Sequence, residues 1–426
     1  MPQPLAAILT LGCKLNLADS EEIGRGLRGA GFHVVESLCE ADAYVINTCS
    51  VTHTADRKSR KLVRSVRRLA PGATVVVTGC FPRSAGPDAA TELGADFVAG
   101  TQDADKAAVV EFLRGRRPAG LRSAPPPAGR IARAFIKAQE GCNDVCAFCI
   151  VPRTRGREVS RPVERVVEEV RRAAESGARE VVITGTQLGA WGRDFEHPLR
   201  PHHLIAGILE ATDIPRVRFS SLQPQDITPE LLGLWSDPRL MPHFHLALQS
   251  GSEATLAAMR RRYTTAEFVR AAARIRATVD SVAITTDVIA GFPGESEEDF
   301  AATLALCEEA GFARIHAFPY SQRSRTAAAR MPGQVSPDVL KERMGRLLAL
   351  GSELWAQFRE GQRDTFRPVL WEAPRAAEDG QLLAFGHTDN YVPVYADARH
   401  MENRITQAQL GGVYDDGVRG HLPGEA

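Results

Sequence analysis

The chain of 426 residues has no apolar run long enough to span a membrane. Its opening stretch, MPQPLAAILTLGCKLN, has no basic segment ahead of the apolar one. No export signal is therefore expected, and the sequence reads as that of a cytoplasmic protein. Net charge is absent as well, with 52 Lys and Arg against 52 Asp and Glu. A chain without a positive field of its own can meet phosphates only through a local basic patch. No internal repeat is visible. Cysteines are few, eight in all. Without an export signal they are better read as metal ligands or catalytic thiols than as a disulfide framework. A composition of 44% hydrophobic and 24% charged residues suits a globular protein, and the length allows two or three domains.

A further absence is more specific. QEGCNDVCAFCIVPRTRG holds Cys142, Cys146 and Cys149, with no fourth Cys or His nearby. Structural zinc takes four protein ligands, and iron–sulfur clusters usually take four thiolates. Three thiolates leave one position open, and open metal positions are where substrate chemistry occurs. The C-x3-C-x2-C spacing therefore reads as a [4Fe–4S] cluster with a free corner.

The rest of the chain falls into three parts. LAAILTL, AYVIN, TVVVTG and DFVAGT read as strands alternating with helical DSEEIGRGLRGAG and HTADRKSRKLVRSVRRLAPG, an open parallel α/β sheet over 4–116. Cys13, Cys49 and Cys80 each follow a strand. In a parallel sheet those carboxyl ends share one edge, so the three thiols can meet; three separately buried cysteines is the plainer alternative. A Pro/Gly/Arg-rich linker is expected over 117–130. Residues 131–355 then supply six strand–helix repeats, starting from IARAFIKAQ, for a partial (β/α)6 barrel. GTQLGAWG, SSLQP, QSGS, GFPGE and PYSQRS lie at the expected strand ends, where functional residues of such barrels gather. Short β-like pieces over 362–424 suggest a small antiparallel β-barrel of the kind that binds oligonucleotides.

These motifs carry a resemblance. C-x3-C-x-aromatic-C, including Phe148, resembles the radical S-adenosylmethionine superfamily. TLGCK, INTCSVT, VTGC, QEGCNDVCAFCIVP, GFPGE and FPYSQRS resemble, in that order, the signatures of its methylthiotransferases. The resemblance covers nearly the whole chain. It implies that Cys142, Cys146 and Cys149 hold a [4Fe–4S] cluster whose free iron chelates S-adenosylmethionine, giving a 5′-deoxyadenosyl radical that abstracts hydrogen. It implies a second [4Fe–4S] cluster on Cys13, Cys49 and Cys80 that binds the inserted sulfur. One S-adenosylmethionine would give the methyl group and another the radical. Phe148, Gln249, Ser250, Gly291 and Gly294 are the implied cofactor contacts. No catalytic residue is expected beyond the cluster ligands. The C-terminal part is implied to be a TRAM-like RNA-binding domain.

TLGCKLN, GTQD, FPYSQRSRTAAARMPGQV and GHTDNYVPV look most like the branch that adds a methylthio group to C2 of N6-threonylcarbamoyladenosine at position 37 of tRNA. LNLADSEE also resembles a branch that modifies an aspartate of a small-subunit ribosomal protein. Isopentenyl-adenosine is the third possible target, although that branch usually has Gln where this chain has Lys14. The implied partners are the tRNA anticodon loop, an electron donor and a sulfur donor, both unidentified; no membrane is implied, and a monomer is expected. An RNA-binding iron–sulfur redox sensor is the alternative of a different class. Open coordination at both triads argues against it, since a structural cluster gains from a fourth ligand.

Several features admit two readings. The run DRKSRKLVRSVRR reads as a solvated helix face or a phosphate contact; it lacks acidic partners at i+4. Arg153, Arg155, Arg157 and RRRY (260–263) read as anion contacts or ordinary ion-pair formers. Cys39 and Cys307 read as buried small hydrophobes. Asp389, Asn390 and Tyr391 read as a turn, with RNA stacking as the alternative.

Overall fold

The computed structural model describes residues 3–116 and 132–423; the expected linker at 117–130 lies outside the described residues. These form two compact units. One gathers 3–116 with 139–159 and 321–329, and the other gathers 132–138, 160–320 and 330–423.

The first unit is built on a five-stranded parallel sheet. Its strands are β1 (Leu5–Thr10), β2 (His33–Val35), β3 (Ala43–Thr48), β4 (Thr74–Gly79) and β5 (Phe97–Val98), in the order β2-β1-β3-β4-β5. The strands read as continuous apolar runs because both faces are covered. Along β1 the residues alternate between two cores. Leu5, Ala7 and Leu9 join Val63, Val66 and Phe81 on one face. Ala6 and Ile8 join Ile23, Leu27, Val109 and Leu113 on the other. Strand order reverses between β1 and β3, and ligands of open α/β sheets sit beyond the strand ends at such a switch point. Sequence periodicity starts the first helix at Asp19, but it runs Lys14–Gly29, directly after Cys13. The edge strand β2 is only three residues long and gave no periodic signal.

The second unit contains the partial barrel. Its strands are β6 (Arg133–Glu140), β7 (Val159–Ser160), β8 (Glu180–Gly185), β9 (Arg216–Phe219), β10 (Ser221–Leu222), β11 (His243–Leu246), β12 (Ala283–Ala290) and β13 (Arg314–Pro319). They form two sheets, β7-β6-β8-β9 and β10-β11-β12-β13, and β10 lies two residues beyond β9 in the chain. Each long strand but the last is followed by covering helices, and one core cluster fills the space between them.

Helix Pro337–Glu360 leads to the C-terminal β domain. Its strands are β14 (Phe366–Trp371), β15 (Arg375–Ala376), β16 (Leu382–Thr388), β17 (Pro393–Ala396), β18 (Ile405–Tyr414) and β19 (Gly417–His421). The order β14-β18-β19-β17-β16 closes through a β14–β16 pairing, so five strands form a barrel with β15 outside it. Pairing is antiparallel except between β17 and β19, which run parallel. Trp371, Val394, Leu410 and Val418 fill its core. Among the described residues no helix is long and apolar enough to cross a membrane.

Candidate active site

All six motif cysteines belong to the first unit. Cys13 caps helix Lys14–Gly29 at the end of β1, Cys49 follows β3, and Cys80 opens helix Cys80–Ala85 directly after β4. The sheet thus brings three thiols separated by more than thirty residues to one edge. Two glycines make this possible. A Cβ on Gly12 would lie 2.7 Å from Cβ of Cys49. Gly79 has φ +97° and ψ −154°, and a Cβ there would lie 2.4 Å from the Thr48 carbonyl oxygen. Only glycine reaches that backbone without strain.

Polar groups lock the strand ends. Asn16 Nδ2 donates to the carbonyls of Leu11 (2.6 Å) and Thr48 (3.0 Å). Thr48 Oγ1 donates to the Thr78 carbonyl at 2.5 Å, and Thr78 Oγ1 to the Gly100 carbonyl at 2.6 Å. Ser59 Oγ holds the Cys49 carbonyl at 3.0 Å.

The second triad lies in the loop after β6. Cys142 N donates to Gly156 O at 3.1 Å, and Cys149 N to Cys146 O at 3.1 Å. Asp144 N points at Cys142 Sγ, 3.4 Å away. Phe148 stands between the last two cysteines, half-buried.

One side chain ties the two cysteine regions together. Arg155 is 3% exposed and donates from Nη1 to Glu140 Oε1 (2.8 Å), and from Nη2 to Asn16 Oδ1 (2.5 Å) and Asp19 Oδ2 (3.1 Å). It also hydrogen-bonds Cys80. Burial pushes the Cys80 thiol up to about 12, against the pull of Arg155. Burial also raises Cys49, and it pushes Cys142 up to about 11.

A third segment, 321–329, completes the unit. Arg323 Nη1 donates to Asp56 Oδ2 at 2.6 Å, and its Nη2 to Ser50 Oγ (3.0 Å) and Ser84 Oγ (2.9 Å). Ser50 follows Cys49, and Ser84 lies on the helix that Cys80 opens. Ala328 N reaches Ala147 O, between Cys146 and Cys149, at 2.8 Å.

Among the described residues no three Cys, His, Asp or Glu side chains are arranged to share a single metal ion. A cubane cluster carries its irons at separate corners, so its thiolates stand further apart than ligands of one ion. The donor sets fit that wider group: three thiols on one sheet edge, three in a short loop, and a guanidinium on one sulfur.

The remaining candidates lie in the second unit. Gln249 is buried with φ +68°, and Ser250 Oγ is 3.1 Å from Thr303 Oγ1. Tyr263 of RRRY fixes the preceding strand end by donating to the carbonyls of Ala247 and Leu248, both at 2.7 Å. Gly291 has φ +76°, and its N–H donates to Glu295 Oε2 at 2.7 Å; Gly294 N donates to Gly333 O at 2.8 Å. Arg343 meets the same Glu295 oxygen at 2.8 Å. Desolvation outweighs Arg343 and raises the Glu295 carboxyl.

Asp389, Asn390 and Tyr391 form a packed turn. Arg367 donates to Asp389 at 2.7 Å, and buried Asn390 donates to Gln362 Oε1 at 2.9 Å. Tyr391 lies against His243, His387 and the guanidiniums of Arg133 and Arg218. Cys307 is buried, and Cys39 is partly buried against the first sheet's core. Asn16 and Asp19 fall within the quoted LNLADSEE and Asp56 within DRKSRKLVRSVRR, but nothing in the sequence marked them, or Glu140, as the partners of buried arginines.

Comparison with known proteins agrees with this architecture. Residues 6–100 match the family described as Uncharacterized protein family UPF0004, and 136–307 match the Radical SAM superfamily. A solved radical S-adenosylmethionine methyltransferase, TsrM from Kitasatospora setae with cobalamin and a [4Fe–4S] cluster bound, shares the fold. Its TM-score is 0.54 at 15% identity, covering 74% of this chain and 75% of that one. The Threonylcarbamoyladenosine tRNA methylthiotransferase MtaB of Bacillus subtilis (strain 168) is 33% identical over 96% of this chain and 95% of its own. A tRNA-2-methylthio-N(6)-dimethylallyladenosine synthase of Syntrophobacter fumaroxidans is also 33% identical, over 97% of this chain and 95% of its own. The chain belongs to the radical S-adenosylmethionine tRNA methylthiotransferase family. Its members are transferases that work with S-adenosylmethionine and [4Fe–4S] clusters.

Proposed function

We propose that this protein adds a methylthio group to C2 of N6-threonylcarbamoyladenosine at position 37 of tRNA. The observation that carries the chemistry is the pair of three-cysteine sites held in one unit, each with too few protein ligands to close a cubane. In this reading Cys142, Cys146 and Cys149 hold the cluster that binds S-adenosylmethionine, and Cys13, Cys49 and Cys80 hold the second. The bound groups supply hydrogen abstraction at C2 and the sulfur and methyl that replace that hydrogen. The chain's residues position them. Arg155 donates to Cys80 while anchored on Glu140, and Arg323 fixes the loops that carry Cys49 and Cys80. Phe148 lies within the S-adenosylmethionine-binding loop. Gln249, Ser250, Gly291 and Gly294 stay in this reading the S-adenosylmethionine contacts that the resemblance implies. In this reading the domains along the chain are 4–116, 131–355 and 362–424, the last a TRAM-like RNA-binding part, although segments 139–159 and 321–329 pack with the first unit.

The threonylcarbamoyl branch is supported by GHTDNYVPV and FPYSQRSRTAAARMPGQV and by relatives of that name from Bacillus subtilis and Thermotoga maritima. Relatives that bear the dimethylallyladenosine name are equally similar, which makes that nucleoside the second reading. Mass spectrometry of tRNA nucleosides from strains with and without the gene separates them. Loss of 2-methylthio-N6-threonylcarbamoyladenosine, with its precursor accumulating, is expected. Unchanged levels of that nucleoside, with methylthio-isopentenyl-adenosine lost, would transfer the assignment to the second reading.

A further inference from the structure

Helix His53–Leu69 carries Arg57, Lys58, Arg60, Lys61, Arg64, Arg67 and Arg68. Its inner face is anchored: Val63 and Val66 are fully buried, Ser59 is bonded to the Cys49 carbonyl, and Thr52 Oγ1 caps the start by accepting from Ala55 N. Arg67 serves the fold, donating to Gly94 O, Ala73 O and Asp96. Arg60 lies over the ring of Phe81, 5.3 Å from its centroid. The others have no carboxylate partner among the described residues. The only acid on the helix, Asp56, is buried and held by Arg323. Like charges three and four positions apart repel along a helix, by a few tenths of a kcal/mol per pair. An external anion removes that repulsion.

All of these basic side chains except Lys58 line an open hollow of about 770 Å³. Arg57, Arg60 or Lys61, Arg64 and Arg68 follow one helical face over ~16 Å, long enough to meet several successive phosphates of one strand. Among the described residues no aromatic side chain lines it, so it offers charge without a surface for stacking bases. The helix begins four residues after Cys49, and Phe81 follows Cys80. The hollow and the first cysteine site thus share their supporting loops.

We infer that this face of helix His53–Leu69 grips the phosphate backbone of the tRNA substrate, sequence-independently, beside the first cysteine site. The inference rests on the tRNA methylthiotransferase reading for the identity of its partner. It also explains how a chain of zero net charge holds a polyanion: the positive field is local.

The test is tRNA affinity measured by fluorescence anisotropy between 50 and 200 mM salt, for the full chain and for Arg57→Gln/Lys61→Gln/Arg64→Gln/Arg68→Gln. Four lost phosphate contacts should flatten the plot of log affinity against log salt by about three to four units. At low salt the affinity should drop roughly 100-fold. Arg57→Lys/Arg64→Lys/Arg68→Lys should keep the native slope, since charge rather than fork geometry is used. An unchanged slope in the Gln variant, with its folding confirmed by circular dichroism, overturns the proposal and leaves an acidic protein as the partner to seek. Nucleoside analysis keeps the two readings apart. A flattened slope in a protein that methylthiolates no tRNA leaves the surface standing and removes the enzyme reading. Full methylthiolation with an unchanged slope does the reverse.

Discussion

At the scale of single residues, Arg155 has the widest reach. It sits in the loop that follows the second triad and bonds residues beside the first, Asn16 being 139 positions away in sequence. Its guanidinium is planar and forked, so it meets Glu140, Asn16 and Asp19 at once, which a lysine ammonium on one stem does less well. Removing it leaves Asp19 and Glu140, both nearly buried, with one partner fewer. Arg155→Met should lower stability by about 3–5 kcal/mol in urea denaturation, the cost of breaking a buried pair. Arg155→Lys should recover part of the loss. A change below ~1 kcal/mol for the Met variant would contradict the buried clamp. The sequence announced Cys142, Cys146 and Cys149 because their spacing is local, and it marked Arg155 as an ion-pair former or anion contact. It could not name the partners of Arg155, because they come from separate segments and a single sequence does not say which segments meet.

Among the elements, the turn after β4 is the most constrained. Gly79 combines positive φ with a backbone oxygen where a side chain would be. Gly86, at φ +95°, has open space around it. Gly86→Ala therefore measures the cost of the backbone conformation alone, roughly 1–3 kcal/mol. Gly79→Ala adds a collision that must separate β4 from β3. It should destabilise by more, and it should lower the iron bound per chain, while Gly86→Ala leaves iron binding near native. Equal losses of iron in the two variants would detach the turn from the site. The parallel sheet and the six-repeat barrel were legible in the sequence because strands buried on both faces give apolar runs. The three-residue β2 and the early start of the first helix were not. A short edge strand has no period, and Cys13 and Asn16 are not apolar markers of a helix.

At the scale of the whole molecule, the second unit depends on a buried charge cluster that joins the β/α barrel to the C-terminal β-barrel. Glu180 is fully buried and bonded to Arg133 (2.6 Å) and Arg218 (3.1 Å). Arg133 lies 3.1 Å from Glu372 of the C-terminal barrel, and Arg216 Nη2 donates to the Pro368 carbonyl at 2.6 Å. Burial alone would raise the Glu180 carboxyl, but Arg218 and Arg133 outweigh it and hold it far below the ordinary range. A depressed carboxyl gives stability that is complete above its unfolded value, about 4.3, and is lost as pH falls through the folded one. Acid should therefore weaken the unit progressively below about pH 5. Glu180→Gln should be destabilised by several kcal/mol at neutral pH, since Arg133, Arg218 and Arg216, the last 3.7 Å from Glu180, lose their shared anion. Its stability should also fall less steeply in an acid titration followed by tryptophan fluorescence. Parallel curves for the two proteins would remove Glu180 from the linkage.

The first unit is assembled from three stretches of chain, the last ending at residue 329. A ribosome releases those stretches in order. At about 5–20 residues per second, some 10 to 40 seconds separate residue 116 from residue 329. Until Arg323 emerges, Asp56 and the loops bearing Cys49 and Cys80 lack their buried cation. The nascent chain thus exposes its thiols, unfinished, for much of its synthesis. Cluster delivery is accordingly expected late in translation or after release, and the interval is one in which the nascent thiols stand open to oxidants.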